Sequence, residues 1–150
     1  MNHSNARRQP TMPTLATITI RNLRLRTFIG FNPEETEKQQ DVVINIEIEY
    51  ALGEGVFEDR VEDALNYKVV TKRVIEHVET GRFLLLEKLV ADVLNICSAH
   101  PAVLRARVAI DKPHALRFAD SVSLALEYVS EQTGLPNLQP HSLRLLEKAS

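Results

Sequence analysis

Residues 66–81, NYKVVTKRVIEHVETG, and 83–100, FLLLEKLVADVLNICSAH, lie back to back in mid-chain and share a helical period. In the first, Val70, Val74 and Val78 recur every four residues with Ile75 beside them, and Gly81 supplies a stop. In the second, Leu86, Val90, Val93, Leu94 and Cys97 form an apolar stripe, and Pro101 follows its end. The spacing predicts two consecutive helices. One carboxylate, Glu87, stands among the leucines that open the second helix. If that face is buried, the charge needs a partner, because an unpaired carboxylate out of water is costly.

Outward from this pair, both flanks alternate. On the N-terminal side, DVVINIEIEYAL (41–52) points Val42, Ile44, Ile46, Ile48 and Tyr50 one way, and Asn45, Glu47 and Glu49 the other. Before it, LATITIRNLRLRTFIG (15–30) places Ile18 and Ile20 on even positions but Leu23, Leu25 and Ile29 on odd ones. That change of parity around Asn22 predicts a β-bulge or bend in one long strand. A turn, GFNPEETEKQQ, joins the two strands. On the C-terminal side VLRARVAID (103–111) and SVSLALEYV (121–129) alternate again, separated by KPHALRFAD.

The order strand, strand, helix, helix, strand, strand predicts an α+β domain over residues 15–130. Its antiparallel four-stranded sheet carries both helices on one face. The edges of such a sheet stay open, which favours an oligomer. Residues 1–14, MNHSNARRQPTMPT, read as a disordered arm and not as a secretory signal. Residues 131–150 read as an appendage, with a possible short helix opened by Ser142.

Composition excludes several classes. Charged residues are 25% of the 150 and hydrophobic residues 44%, an ordinary balance for a soluble domain. A net charge of −2 gives no overall field for nucleic acid, so a polyanion would need a local cluster of Arg and Lys. No run reaches the ~18 apolar residues of a membrane span. Cys97 is the single cysteine, which fits a cytoplasmic protein. His3, His77, His100, His114 and His141 show no metal-ligand spacing, so neither a metal nor a cofactor is expected. HExxH, CxxC, a phosphate loop and a nucleophile elbow are all missing from the sequence. For an enzyme, acid–base chemistry on a substrate with its own electron sink is what remains. The polar residues at loops and element ends that could carry it are Glu35, Gln40, Tyr67, Glu87, Lys112 and Arg117.

Four segments, IRNLRLRTFIGFNPEE, DALNYKVVTKRVIEHVE, RFLLLEKLVADVL and IDKPHALRFADSVSLAL, together resemble the dihydroneopterin aldolase family. The shared pattern is a Gly followed five residues later by Glu, a D-x-x-x-Tyr, an L-L-E and a K-P, covering residues 16 to 129. The flanking wording is similar to the family's dihydroneopterin triphosphate 2′-epimerase branch, of bacterial pterin metabolism. The resemblance implies the tunnelling fold (T-fold), subunits joined edge to edge in four-membered rings, two rings stacked as a homo-octamer, and sites between subunits. It implies that Glu87 anchors a dihydropterin, with the Leu86 backbone beside it. It implies that Glu35 lies near the side-chain hydroxyls, and that Tyr67 and Lys112 are catalytic.

An epimerase would invert C2′ of 7,8-dihydroneopterin 3′-triphosphate by retro-aldol cleavage and re-addition. The alternatives are an aldolase giving 6-hydroxymethyl-7,8-dihydropterin and glycolaldehyde, or a pterin-binding module without catalysis. Arg24, Arg26, Arg73, Arg82 and Arg117 lie close to the matched motifs, and Arg26, Arg82 and Arg117 are the first candidates for holding a triphosphate. No role for membrane or nucleic acid is implied.

Overall fold

The computed structural model describes residues 14–131, so the bulk of the N-terminal arm and of the C-terminal appendage, with Ser142, lies outside the described residues. Strand β1 (Leu15–Ile29) leads through Gly30 and a short helix α1 (Pro33–Glu37) into β2 (Gln40–Ala51). Two 3-10 turns, Glu54–Glu58 and Val61–Asp63, precede helix α2 (Tyr67–Thr80). A two-residue strand β3 (Arg82–Phe83), helix α3 (Leu86–Cys97), β4 (Val103–Pro113) and β5 (Ser121–Val129) follow.

The sheet order is β3-β1-β2-β4-β5. The four long strands pair antiparallel, as the alternation predicts. The fifth strand corrects the expected four: β3 runs parallel to the end of β1, pairing Phe28 with Arg82 and Ile29 with Phe83. Two residues are too few to show any period, so it left no mark in the sequence. The bulge lies where the parity changes. Ile20 opposes Ile46 and Leu23 opposes Ile44, so β1 carries one extra residue there. Asn22 absorbs it at φ 53, a left-handed conformation that Asn tolerates, and its backbone N–H donates to Asn45 Oδ1 at 2.9 Å.

Both long helices cover one face. Val42, Ile44, Ile46, Ile48, Val108 and Ile110 from the sheet meet Val74, Val78, Leu89, Val90, Val93 and Leu94 from the helices in a single buried cluster. Each such side chain contributes about 1.5–3 kcal/mol through removal from water. The other sheet face is wet, with Glu47, Arg105 and Arg107 exposed. One buried polar contact fixes the layers: Thr27 Oγ1 donates to the Val78 carbonyl at 2.6 Å, binding β1 to the end of α2. Only the last two residues of β1 are covered by β3, and β5 has no outer neighbour, so among the described residues both sheet edges are open.

Candidate active site

The turn after β1 is built around one carboxylate. Asn32 precedes α1 and Pro33 begins it, which fixes the entry of the helix. Glu35, at its third position, reaches back to accept from the Asn32 backbone N–H at 3.2 Å. Lys112, near the end of β4, donates its ammonium to Glu35 Oε2 at 2.6 Å. Their side chains are 12% and 21% exposed respectively, so this ion pair is largely shielded from water. The Lys112 hydrogen bond, helped by those from Asn32 and Gln40, holds the Glu35 carboxyl below its ordinary value against the opposing effect of burial. Gln40 also donates to the Ile29 carbonyl at 2.6 Å.

Gly30 explains why Gly precedes this Glu by five residues. Its φ is +125, and a Cβ there would overlap the Glu35 carboxylate. Only glycine lets the chain turn that tightly against the charge.

The same glycine ties in the second half of the corner. Its N–H donates to the Phe83 carbonyl at 2.9 Å, so the segment Leu84–Glu87 departs beside the Glu35 turn. Leu86 and Glu87 open α3, where the helix dipole favours a negative charge. The expectation of a buried Glu87 does not hold in the single chain. Glu87 is exposed, with Leu84 and Leu85 exposed at 63% and 48% beside it. The buried stripe of α3 begins in earnest at Leu89 and Val90, and Glu87 sits a turn earlier, at the stripe's margin.

The Glu87 side chain makes no hydrogen bond or ion pair among the described residues. It lines a cavity of about 720 Å³ with Phe83, Leu84, Leu85, His77 and Asp92. That volume suits a small organic ligand. Asp92 is already satisfied there, accepting from His77 Nε2 at 2.8 Å and Lys88 Nζ at 2.9 Å. His77 and Asp92 were not singled out from the sequence; on helices they carry no signal beyond ordinary polar spacing.

Tyr67 stands apart. It is the first residue of α2, 52% exposed, whereas the Glu87 cavity is lined by Thr80 and Gly81 at that helix's other end. Fourteen helical residues span about 20 Å. One chain therefore brings Glu35, Gln40 and Lys112 together with Leu86 and Glu87 alongside, and does not bring Tyr67 to them.

The arginines divide as well. Arg26 is paired with Asp41 at 2.7 Å and donates to the Gln39 carbonyl. Arg82 lies 3.8 Å over the Phe28 ring and donates to the Thr36 carbonyl at 3.2 Å, which packs α1 against the sheet edge. Arg117 lies over the exposed Phe118 ring in the β4–β5 loop. Arg73 sits beside Val69, Val70 and Cys97, away from both halves of the corner.

The family model described as dihydroneopterin aldolase matches residues 18–127. The chain belongs to the dihydroneopterin aldolase family. Within it, the chain is 54% identical over 113 residues to the dihydroneopterin triphosphate 2′-epimerase of Escherichia coli K12, covering 75% of this chain and 94% of that protein. It is 49% identical over 114 residues to the enzyme of the same name from Pseudomonas aeruginosa, covering 76% and 93%. Escherichia coli dihydroneopterin aldolase, solved in complex with neopterin, superimposes with a TM-score of 0.69 at 28% identity, covering 75% of this chain and 97% of that one. The β-β-α-α-β-β unit is thus the T-fold of the dihydroneopterin aldolase family. Among the described residues no helix is long and apolar enough to cross a membrane.

Proposed function

We propose that this chain is a dihydroneopterin triphosphate 2′-epimerase, inverting C2′ of 7,8-dihydroneopterin 3′-triphosphate. The observation that carries the reading is the shielded Lys112–Glu35 pair beside an open cavity whose carboxylate, Glu87, has no partner among the described residues. The high identity to two enzymes of that name supports it.

A pterin presents its 2-amino group and an adjacent ring N–H on one edge. Glu87 accepts both, in the geometry by which a carboxylate takes an arginine fork. The exposed Leu84 and Leu85 supply apolar cover, and the Leu86 backbone lies beside the ring. This orients the side-chain hydroxyls toward Glu35 and Lys112. Lys112 acts through a water as the base for the 2′-hydroxyl, once a substrate hydroxyl has opened its pair with Glu35. The C1′–C2′ bond breaks, its electrons run into the C6=N5 imine, and C2′ becomes an aldehyde that keeps the triphosphate. Tyr67 donates a proton to the pterin fragment. Rotation of the aldehyde and re-addition on its other face re-forms the bond with C2′ inverted, and the protons return by the same groups.

Tyr67 reaches this site only from a second copy of the chain. We infer a ring of four subunits joined through the open edges of β1 and β5, two rings stacking as a homo-octamer that works in the cytoplasm. The roughly 20 Å along α2 between Tyr67 and the Glu87 cavity supports an inter-subunit site.

The second reading, an aldolase, is favoured by the structural likeness to the E. coli aldolase. Product analysis on purified protein separates them. Dihydroneopterin triphosphate and dihydroneopterin are supplied separately, then oxidised, dephosphorylated and resolved by chromatography. Monapterin from the triphosphate with little 6-hydroxymethylpterin is the expected outcome. Mostly 6-hydroxymethylpterin, chiefly from the unphosphorylated substrate, would make the protein an aldolase.

A further inference from the structure

A second cavity lies at the end of β4. It measures about 350 Å³ and is lined by Arg24, Arg26, Asp41, Val43, Pro113 and His114. Pro113 and His114 directly follow Lys112, so the His114 Cα lies at most about 7 Å from that of Lys112. On the other side, Arg26 donates to the carbonyl of Gln39, the neighbour of the Gln40 that bonds Glu35. The cavity and the Glu35–Lys112 corner therefore draw on the same two chain segments from opposite faces, Lys112 in step with the buried Ile110 and the cavity on the other side at the strand ends.

The charges in it are unevenly matched. Asp41 is taken by Arg26, while the Arg24 and His114 side chains make no hydrogen bond or ion pair among the described residues. His114 is held at φ 68, a conformation unusual for a residue with a Cβ, at the point where β4 turns into its loop. Arg24 and Arg26 alternate with Leu25 on β1, so both project from the sheet face opposite the core. The other arginines near the motifs are less suited: Arg82 is occupied by Phe28 and Thr36, Arg117 rides on an exposed loop, and Arg73 lies elsewhere.

We propose that the Arg24–Arg26–His114 cavity is the triphosphate subsite, and that it sets the outcome of the reaction by keeping the cleaved aldehyde in place. This rests on the epimerase reading above. After C1′–C2′ cleavage the triphosphate is on the small fragment, so whatever holds the phosphates holds the aldehyde for re-addition. Guanidinium forks suit phosphate oxygens, and Arg24 has its whole fork free. Arg26 turns from Asp41 to the phosphate, and His114 donates from its ring.

The experiment compares wild type with Arg24→Ala, Arg24→Lys and His114→Ala in two assays. The first is calorimetric binding of inorganic tripolyphosphate to the intact oligomer. The second is turnover of dihydroneopterin triphosphate and of dihydroneopterin, with the ratio of monapterin to 6-hydroxymethylpterin as readout. Arg24→Ala is expected to weaken tripolyphosphate at least tenfold and to raise KM for the triphosphate at least ten times more than KM for dihydroneopterin. It should also shift product from monapterin toward 6-hydroxymethylpterin, with partial recovery in Arg24→Lys. His114→Ala should move in the same direction, less far. Wild-type epimerisation with tripolyphosphate binding and product ratio unchanged in the variants overturns the subsite and leaves the epimerase reading standing. Arg24-dependent tripolyphosphate binding without wild-type turnover of either pterin supports the anion site and removes the epimerase reading.

Discussion

The corner at Glu35 and the start of α2 at Tyr67 are built in opposite ways. Glu35 is held by Lys112 and by the Asn32 N–H, with a glycine placed so that nothing crowds it. Tyr67 is half out in solvent, and its side chain makes no hydrogen bond, ion pair or ring contact among the described residues. One region is complete in a single chain; the other has its backbone fixed by a helix cap and its side chain unpartnered. Asn66 caps α2 by accepting from the Lys68 and Val69 N–H groups, so the position of Tyr67 is defined even though its contacts are not. A side chain placed by a capped helix start and unpartnered among the described residues fits a residue offered to a neighbouring subunit.

The largest effect that could break this contrast is catalytic. Lys112→Ala and Tyr67→Phe are each expected to lower kcat by roughly 10² to 10⁴-fold, the range of a positioned acid or base. Co-refolding the two inactive variants in equal amounts should restore about a quarter of wild-type activity, because sites between subunits re-pair at random in a closed ring. No recovery would put Tyr67 and Lys112 in the same chain's site.

A smaller effect tests whether the Glu35 corner is built in advance. Gly30→Ala forces a Cβ into the carboxylate at a backbone angle that L-residues avoid, and should cost about 1–3 kcal/mol in urea denaturation. Gly53→Ala is the control, since its φ is negative and its nearest neighbour, the Asp63 Cβ, is 3.7 Å away. It should stay within about 0.5 kcal/mol of wild type. Equal losses in the two would show that the turn at Gly30 has no special constraint.

The smallest effect is confined to acid. The Glu35 carboxyl is lowered from its ordinary 4.5 chiefly by Lys112. A lowered folded-state value means that the pair stabilises the fold above 4.5 and loses that contribution as pH falls through the lowered value. The stability difference between wild type and Glu35→Gln should therefore be flat from neutral pH down to about 4.5 and shrink below it, measured by denaturation across a pH series. A difference that grows in acid would contradict the ion pair.

Much of the fold was legible because it rests on period. The parity change around Asn22 foretold the bulge, and the four-residue recurrence of valines foretold the buried face of α2. β3 was not legible, since two residues have no period, yet it matters more than its length suggests: it carries the Phe83 carbonyl that anchors Gly30. Glu87 was legible as an anomaly and misread in its surroundings. Leucines on either side suggested burial, whereas Leu84 and Leu85 precede the packed part of the helix and stand exposed. Hydrophobic neighbours in sequence say that apolar surface is present, not which partner covers it.

By itself the sequence determined the order of the long elements, the two faces of each of them, and the residue types available for acid–base work. It could do so because these depend on spacing along the chain. Only the tertiary structure decided that Lys112 meets Glu35 across 77 positions, that Arg26 and Arg82 are already engaged while the Arg24 side chain is not among the described residues, and that Tyr67 stands a helix length from the Glu87 cavity. Those outcomes depend on where side chains end in space. A strand register, a glycine at φ +125 and the length of one helix set them, and none of these is written at the residues they bring together.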